Sequence, residues 1–189
     1  AIQDQLLELV ENFNTRGSGF IMDRILSFQV VVTADRPLAA SSYLPTPKKL
    51  VGKQALVNVK NKDQSCFVWA ILSALHPPPD NVDRVYRYRK HFKTLNVAGL
   101  SFPLPVKQVP KFEGLNPDIS VNVLYYDEDT RDFATLYLSP HKNRQHHANL
   151  LLLEDGDKRH YVWIKDMSRL VAHRTRHDGA TFVCNSCLH

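Results

Sequence analysis

The apolar run Phe67–Leu75 is the feature that most restricts how this chain can fold. It follows the polar stretch Asn61–Ser65 and stops at His76–Pro79, a histidine with prolines behind it. Proline has no amide hydrogen to donate and disfavours helical geometry in the residue before it, so a helix must end here. We therefore expect a buried helix that Cys66 opens and the prolines close.

The rest of the chain shows helical patterns first and hairpin patterns later. Residues 1–14 and 81–93 are expected to form helices, and the proline-containing stretches 36–49 and 103–110 to be extended. The expected strands are Met22–Val32, Ala55–Val59, Ile119–Tyr126, Phe133–Leu138, Asn149–Leu153 and His160–Lys165. This order predicts an α+β fold in which the Cys66 helix packs on an antiparallel sheet.

Composition favours a globular protein inside the cell. The chain has 189 residues, 43% of them hydrophobic, which suits one compact domain. It contains no apolar stretch long enough to span a membrane and no signal-peptide pattern, and three cysteines do not form a disulfide framework. We expect an intracellular protein, in cytoplasm or nucleus, with no membrane partner.

The two ends of the sequence suggest a piece of a longer protein. The chain starts without Met and stops inside the motif Cys184-x-x-Cys187, a pattern typical of one half of a zinc site. We therefore expect a catalytic domain over residues 1–180 and the start of a truncated zinc-binding module over 181–189. Cys184 and Cys187 could hold zinc, but the site needs further ligands.

Cys66 is the candidate nucleophile. A sulfur at the first residue of a helix lies near the unpaired amides and the positive end of the helix dipole, and both favour the reactive thiolate. Asp63 or Ser65 could cap the helix. The Cys66 amide, with a side-chain amide from Gln64 or Asn61, could form an oxyanion hole. A buried structural cysteine is the alternative, so the assignment depends on a partner.

The second hairpin offers that partner. If its turn centres between Gly156 and Asp157, then His147 faces Asp166, and opposed residues have Cβ atoms about 4.5–5.5 Å apart. The carboxylate could then hold the imidazole in the tautomer a general base needs, giving a triad of Cys66, His147 and Asp166. A surface histidine and a helix-capping aspartate are the alternative interpretations of these two residues.

His160 is the alternative base. It lies on one strand with Asp166, roughly 20 Å away at about 3.3 Å per residue, so the two could not be direct partners and His160 would need another acid.

These residues resemble papain-like cysteine proteases, in which a Cys opens a helix and a His precedes a closing hairpin. The matching features here are Cys66 with Trp69-Ala70, His147-Ala148 and the run Tyr161–Asp166. The resemblance implies a papain-like fold and thiol chemistry that needs no cofactor.

A wider resemblance links the chain to proteins encoded by mobile elements of invertebrate genomes, which are similar to the viral tegument-like deubiquitinases. The matching stretches are Gly19–Ile25, Ser42-Tyr43, Asn61–Asp63, Cys66-Phe67, Ala74–Pro77, Asn149–Leu152, His160-Tyr161, Ile164-Lys165 and Ser168–Leu170. This resemblance implies cleavage after the C-terminal Gly of ubiquitin, with ubiquitin or polyubiquitin as partner.

Two other functions remain open. The chain could cleave a polyprotein of the same mobile element, or it could be a nucleic-acid-binding module without catalysis. The net charge is +5, and the segment Arg84–Lys93 interleaves Tyr86 and Tyr88 with basic residues. Other parts of the full-length protein could also bind nucleic acid.

Overall fold

The computed structural model describes residues 7, 8, 11, 24, 43–127, 132–172, 183–185 and 188. The chain divides into two units, Ala1–Ala34 and Asp35–His189. In the first unit Leu7, Glu8 and Glu11 are helical, as predicted, while the strand predicted at Met22–Val32 falls outside the described residues except for Arg24. No helix in the described part of the chain is long and apolar enough to cross a membrane.

The second unit is an α+β structure built on one five-stranded sheet with the order β1-β5-β4-β2-β3. The strands are β1 (Leu56–Val57), β2 (Ile119–Asp127), β3 (Asp132–Tyr137), β4 (His146–Asp155) and β5 (Lys158–Ile164). The helices are α1 (Lys48–Val51), α2 (Cys66–Leu75), α3 (Val109–Leu115) and α4 (Met167–Val171), with 3-10 helices at Val85–Arg87, Arg89–Thr94 and Val106–Gln108.

The two faces of the sheet bury different side chains. On one face, which we call the helix face, the sheet packs against α2; on the other, the second face, it packs against Leu44, α1 and α4. Successive side chains of a strand point to opposite faces. The sheet's contributions to the helix face are Val57, Ile119, Val121, Val123, Ala148, Leu150, Leu152 and Tyr161, and those to the second face are Leu124, Tyr126, Leu151, Leu153, Val162 and Ile164.

Several sequence-based predictions are confirmed. Helix α2 has the predicted bounds and ends at His76. In the second hairpin Leu151 pairs with Val162, the predicted register, and Gly156 takes the positive φ of 58° that its tight turn requires.

The prediction of an antiparallel sheet is wrong for one pairing, because β4 runs parallel to β2. The reason is a long-range contact: the Arg144 guanidinium donates to the carbonyl oxygens of Glu113 and Ile119, at 2.7 and 2.6 Å, and so brings the start of β4 to the start of β2.

Two local predictions also differ from the structure. Residues 81–93 form 3-10 turns instead of an α-helix. The stretch 103–110, which was expected to be extended, contains the first residues of α3. Pro110 lies in the first turn of α3, where a missing amide hydrogen costs no helical hydrogen bond.

The aromatic contact between α2 and the sheet provides a test of this packing. The Phe67 ring is fully buried, with its centroid 5.0 Å from that of Phe112 and 5.3 Å from that of Tyr161. Phe67→Ala should lower the free energy of unfolding by roughly 3–5 kcal/mol because it leaves a cavity. In urea denaturation the exposed control Val51→Ala should change it by less than about 0.5 kcal/mol, and equal effects would contradict the assigned packing.

Candidate active site

Cys66 is the first residue of α2, as the sequence predicted, and its side chain is only 2% exposed. The loop before it is held by the Asp63 carboxylate, whose Oδ1 accepts hydrogen bonds from the Ser65 amide and the Trp69 indole, both at 2.9 Å. Ser65 is the N-cap residue but makes no side-chain capping bond. Asp63 therefore joins this loop to the first turns of the helix that Cys66 opens.

The β5 end of α2 carries the thiol. Phe67 contacts Tyr161, and the pKa of the Tyr161 hydroxyl is raised by burial and then by the charge of a Cys66 thiolate. At the other end of the helix, burial and then the charges of His91 and His146 lower the pKa of His76, which places His76 near the start of β4. Because α2 has 10 residues and rises about 1.5 Å per residue, Cys66 lies some 15 Å from the start of β4.

His147 lies on the second face, away from Cys66. It alternates with Ala148 of the helix face, and its ring belongs to a polar network formed by Ser120, Asn122, Ser139, His147, Asn149 and Asn185. Nδ1 lies 2.8 Å from the Ser120 hydroxyl, and Nε2 lies 3.1 Å from Asn149 Oδ1 and from Asn122 Nδ2. Burial lowers the pKa of His147, while the Asn149 contact and the Glu113 charge raise it in part.

The same network holds the C-terminal segment. Asn122 Nδ2 donates to the Asn185 carbonyl at 2.8 Å, and Asn149 Nδ2 donates to Asn185 Oδ1 at 2.9 Å. His147 therefore links β4 to Ser120 and Asn122 of β2, while Asn122 and Asn149 hold Asn185.

Asp166 caps α4. Its Oδ1 accepts from the Arg169 amide at 2.9 Å, and its Oδ2 lies 3.3 Å from Arg169 Nε. Strand β5 ends at Ile164, and the amides of Lys165 and Asp166 turn to the Ala55 carbonyl of the β1 side. The predicted face-to-face arrangement of His147 and Asp166 therefore does not form, although the hairpin register is right.

The structure does not bring Cys66, His147 and Asp166 together. The sheet separates Cys66 from His147, because their side chains lie on opposite faces and at opposite ends of α2. The described hydrogen bonds of His147 and Asp166 go to other residues.

His160 lies at the same end of the sheet as Cys66, next in the chain to Tyr161. Its side chain is fully buried, and Nε2 lies 2.9 Å from Asn58 Oδ1. The Asn58 amide is oriented by Nδ2, which donates to the Leu44 carbonyl at 2.8 Å and to Thr46 Oγ1 at 3.0 Å. Because Asn58 presents an acceptor, the hydrogen bond requires a proton on Nε2 of His160.

The other ring nitrogen of His160, Nδ1, differs from Nε2 in its hydrogen bonding. Nδ1 is buried and, within the described part of the chain, has no hydrogen-bond partner. Burial lowers the pKa of His160 to about 4, an effect that the Val59 backbone only partly offsets. The ring is therefore neutral at pH 7, and a proton on Nε2 leaves the lone pair on Nδ1. It lies on the second face beside β1, which leads into the Cys66 loop, and does not hydrogen-bond to the thiol.

The two candidate oxyanion amides differ in availability. Asn61 donates through Nδ2 to the carbonyl and carboxylate oxygens of Asp63, at 2.6 and 3.0 Å, so its donors are in use. Its own Oδ1 is buried and unpartnered in the described part of the chain. Gln64 is exposed and stands two residues before Cys66 in the chain.

The predicted zinc half-site is described only at Cys184, which is exposed, because Cys187 lies outside the described residues. Among the residues the structure describes, no three His, Cys, Asp or Glu side chains are grouped to hold a metal ion.

Sequence reasoning missed Asn58 and the network around His147. A signal for the network was present, since Ser120, Asn122 and Asn149 interrupt runs that are otherwise apolar. Asn58 gave no such signal, because it lies 102 residues from His160.

Comparison with protein-family models, curated proteins and solved structures finds no match to this chain.

The burial of His160 predicts acid sensitivity. Its folded pKa of about 4 lies below the ordinary value of 6.5, so the unfolded chain binds the proton more readily. Stability should be fully present above about pH 7 and should fall by about 3 kcal/mol as the pH drops to 4. His160→Gln should remove most of this slope in denaturation curves taken across pH, and the exposed control His141→Gln should retain it. An unchanged slope in His160→Gln would contradict the assignment.

The capping role of Asp166 predicts a pattern of substitutions. Asp166→Ala should destabilise the protein by about 1 kcal/mol, whereas Asp166→Asn, which can still accept from the Arg169 amide, should cost much less. Thermal unfolding of the two variants checks this. A larger loss with Asn than with Ala would contradict the capping role.

Proposed function

We propose that this chain is a papain-like cysteine protease in which Cys66 is the nucleophile, His160 the general base and Asn58 the residue that orients the base. The observation that supports this best is the Asn58–His160 pair with its unpartnered Nδ1. Cysteine proteases of this class use a Cys, His and Asn in these roles. His160, the alternative base in the sequence, replaces His147.

The proposed proton transfer follows from the tautomer. Asn58 holds the proton on Nε2, so Nδ1 can accept the Cys66 proton, and the resulting thiolate sits at the first turn of α2, where the helix amides favour negative charge. His160 is neutral at pH 7 and therefore carries no proton that it must first lose, but a general base works best with a pKa near the working pH. The proposal therefore also requires that the rearrangement expose the ring and so raise its pKa from about 4.

The reaction requires the thiol and imidazole to meet. Cys66 and His160 lie on opposite faces of the sheet, so the proposal requires that substrate binding rearrange the loop Asn61–Ser65 at the edge of β1 and bring the two side chains together. Residues 62–64 of this loop are exposed.

The chemical steps are those of a thiol hydrolase. The Cys66 thiolate attacks the scissile carbonyl carbon, and the Cys66 amide with Gln64 stabilises the oxyanion. His160 returns its proton to the leaving amine as the C–N bond breaks. Water then attacks the thioester, which releases the carboxylate product and restores the thiol.

Ubiquitin is the proposed substrate, and the proposal places the protein inside the cell. This part is supported by the resemblance to the viral tegument-like deubiquitinases, and cleavage after the terminal Gly of ubiquitin is the reaction it implies. A polyprotein is the alternative substrate for the same residues.

The nucleophile is tested with ubiquitin that carries a C-terminal electrophile. The wild-type protein should form a covalent adduct at Cys66 in intact and peptide mass spectra. Cys66→Ala should form none, while Cys184→Ala, which removes an exposed thiol, should react as the wild type does. Adduct formation at Cys184 alone would contradict the proposal.

The base is tested by the labelling rate of two matched variants. His160→Gln should slow adduct formation by roughly 100-fold or more, the usual contribution of a general base, whereas His147→Gln should stay within a few-fold. Circular dichroism must show that both variants are folded. The opposite order would overturn the His160 assignment.

The substrate is tested separately from the nucleophile. If the wild-type protein does not react with the ubiquitin probe but does react at Cys66 with a peptidyl chloromethyl ketone, ubiquitin is rejected as the substrate and the cysteine-protease proposal is retained.

A further inference from the structure

A groove lies at the end of α2 opposite Cys66. Its walls are Pro77–Pro79, Tyr86, Arg87, Lys90 and the paired rings of His76 and His91, and its volume is about 470 Å³. We call it the Tyr86 groove. The buried Tyr88, between the two 3-10 turns, fixes the segment that forms one wall, because its hydroxyl donates to the Val82 carbonyl.

Flat ring surfaces line this groove. Tyr86 is 59% exposed, an unusual exposure for a large side chain, and the Arg87 guanidinium lies 6.0 Å from its ring centroid. His76 and His91 stack with centroids 3.8 Å apart and planes 12° from parallel. Burial and then the charge of His91 lower the pKa of His76.

The charge of the groove is positive. No acidic residue is among those that line it, and Arg87 and Lys90 supply cationic groups. Nearby, Asp83 is paired with Lys60 at 2.8 Å and Asp80 with Arg87. The exposed side chains Arg89, Lys90 and Lys93 have no ion pair with any carboxylate in the described part of the chain.

We propose that the Tyr86 groove binds single-stranded nucleic acid, with a base stacked on Tyr86 and phosphates contacted by Lys90 and Arg89. Exposed rings beside cations suit this ligand, because every base offers a flat face and every nucleotide a negative charge. An acidic peptide would use the cations but not the exposed ring. A duplex would offer phosphates, but its bases are stacked inside and out of reach of Tyr86.

A second groove, of about 340 Å³, also has His76 in its wall, together with Asn96, Asp118, Ile119 and His146. This inference is independent of the protease, because Cys66 lies at the other end of α2.

The test is fluorescence anisotropy of a labelled oligodeoxythymidylate with the full chain. The wild-type protein should bind at low salt, and its affinity should fall linearly on a logarithmic scale as salt rises. Tyr86→Ala should weaken binding by about 5- to 100-fold, the usual effect of losing one stacked base, whereas Tyr86→Phe should bind as the wild type does. Cys66→Ala should bind normally.

The charge contribution has its own matched control. Lys90→Ala should weaken binding and reduce the salt slope by about 0.7, the value for one phosphate contact of a single strand. Lys158→Ala, which removes an exposed lysine at the start of β5, should change neither.

The proposal is overturned if the wild-type protein does not bind at low salt. It is also overturned if Lys158→Ala weakens binding as much as Lys90→Ala does, or if Tyr86→Ala does not weaken binding. Competition by polyglutamate or by duplex DNA as strong as that by the single strand would assign the groove to another acidic ligand and would also overturn it. Because Tyr86 and Lys90 are exposed, their variants should keep the wild-type melting temperature.

Discussion

The packing of α2 on the helix face is the contact on which the rest of the structure depends. The Phe67 ring packs between the rings of Phe112 and Tyr161, and this contact determines which end of α2 lies against β5. Cys66 precedes Phe67 and therefore lies beside β5, while His76, at the other end of the helix, lies near the start of β4 and β2. The two proposed sites, one for thiol chemistry and one for nucleic acid, lie at the two ends of the same buried helix.

Strand alternation then decides which histidine can serve Cys66. His147 and His160 both point to the second face, so neither touches the thiol directly, but they lie at different ends of the sheet. His147 contacts Ser120 and Asn149 in a hydrogen-bond network that links β2 and β4. His160 has an oriented partner on one nitrogen and none described on the other, and an unsatisfied buried polar atom calls for an explanation.

Sequence patterns predicted correctly those features that depend on neighbouring residues, namely the end of α2 and the register of the second hairpin. The prolines ended α2 where expected, and the turn at Gly156 set the register of the second hairpin. His147 and Asp166 do not face each other because the pairing of β4 with β5 does not extend to them. His147 pairs with Ser120 of β2, and Asp166 lies beyond the end of β5, where it caps α4. These outcomes depend on contacts distant in sequence, such as Arg144 with Ile119 and Asn58 with His160, which no local period reveals.

The central claim is that burial keeps His160 neutral and that Asn58 holds its proton on Nε2, which leaves the lone pair on Nδ1. Nitrogen-15 NMR of protein labelled in its histidines measures this directly, because protonated and unprotonated ring nitrogens resonate in different ranges. At pH 7 the account predicts a protonated Nε2 and an unprotonated Nδ1 for His160, and loss of this preference in Asn58→Ala. A proton on Nδ1, or a charged ring, would contradict it.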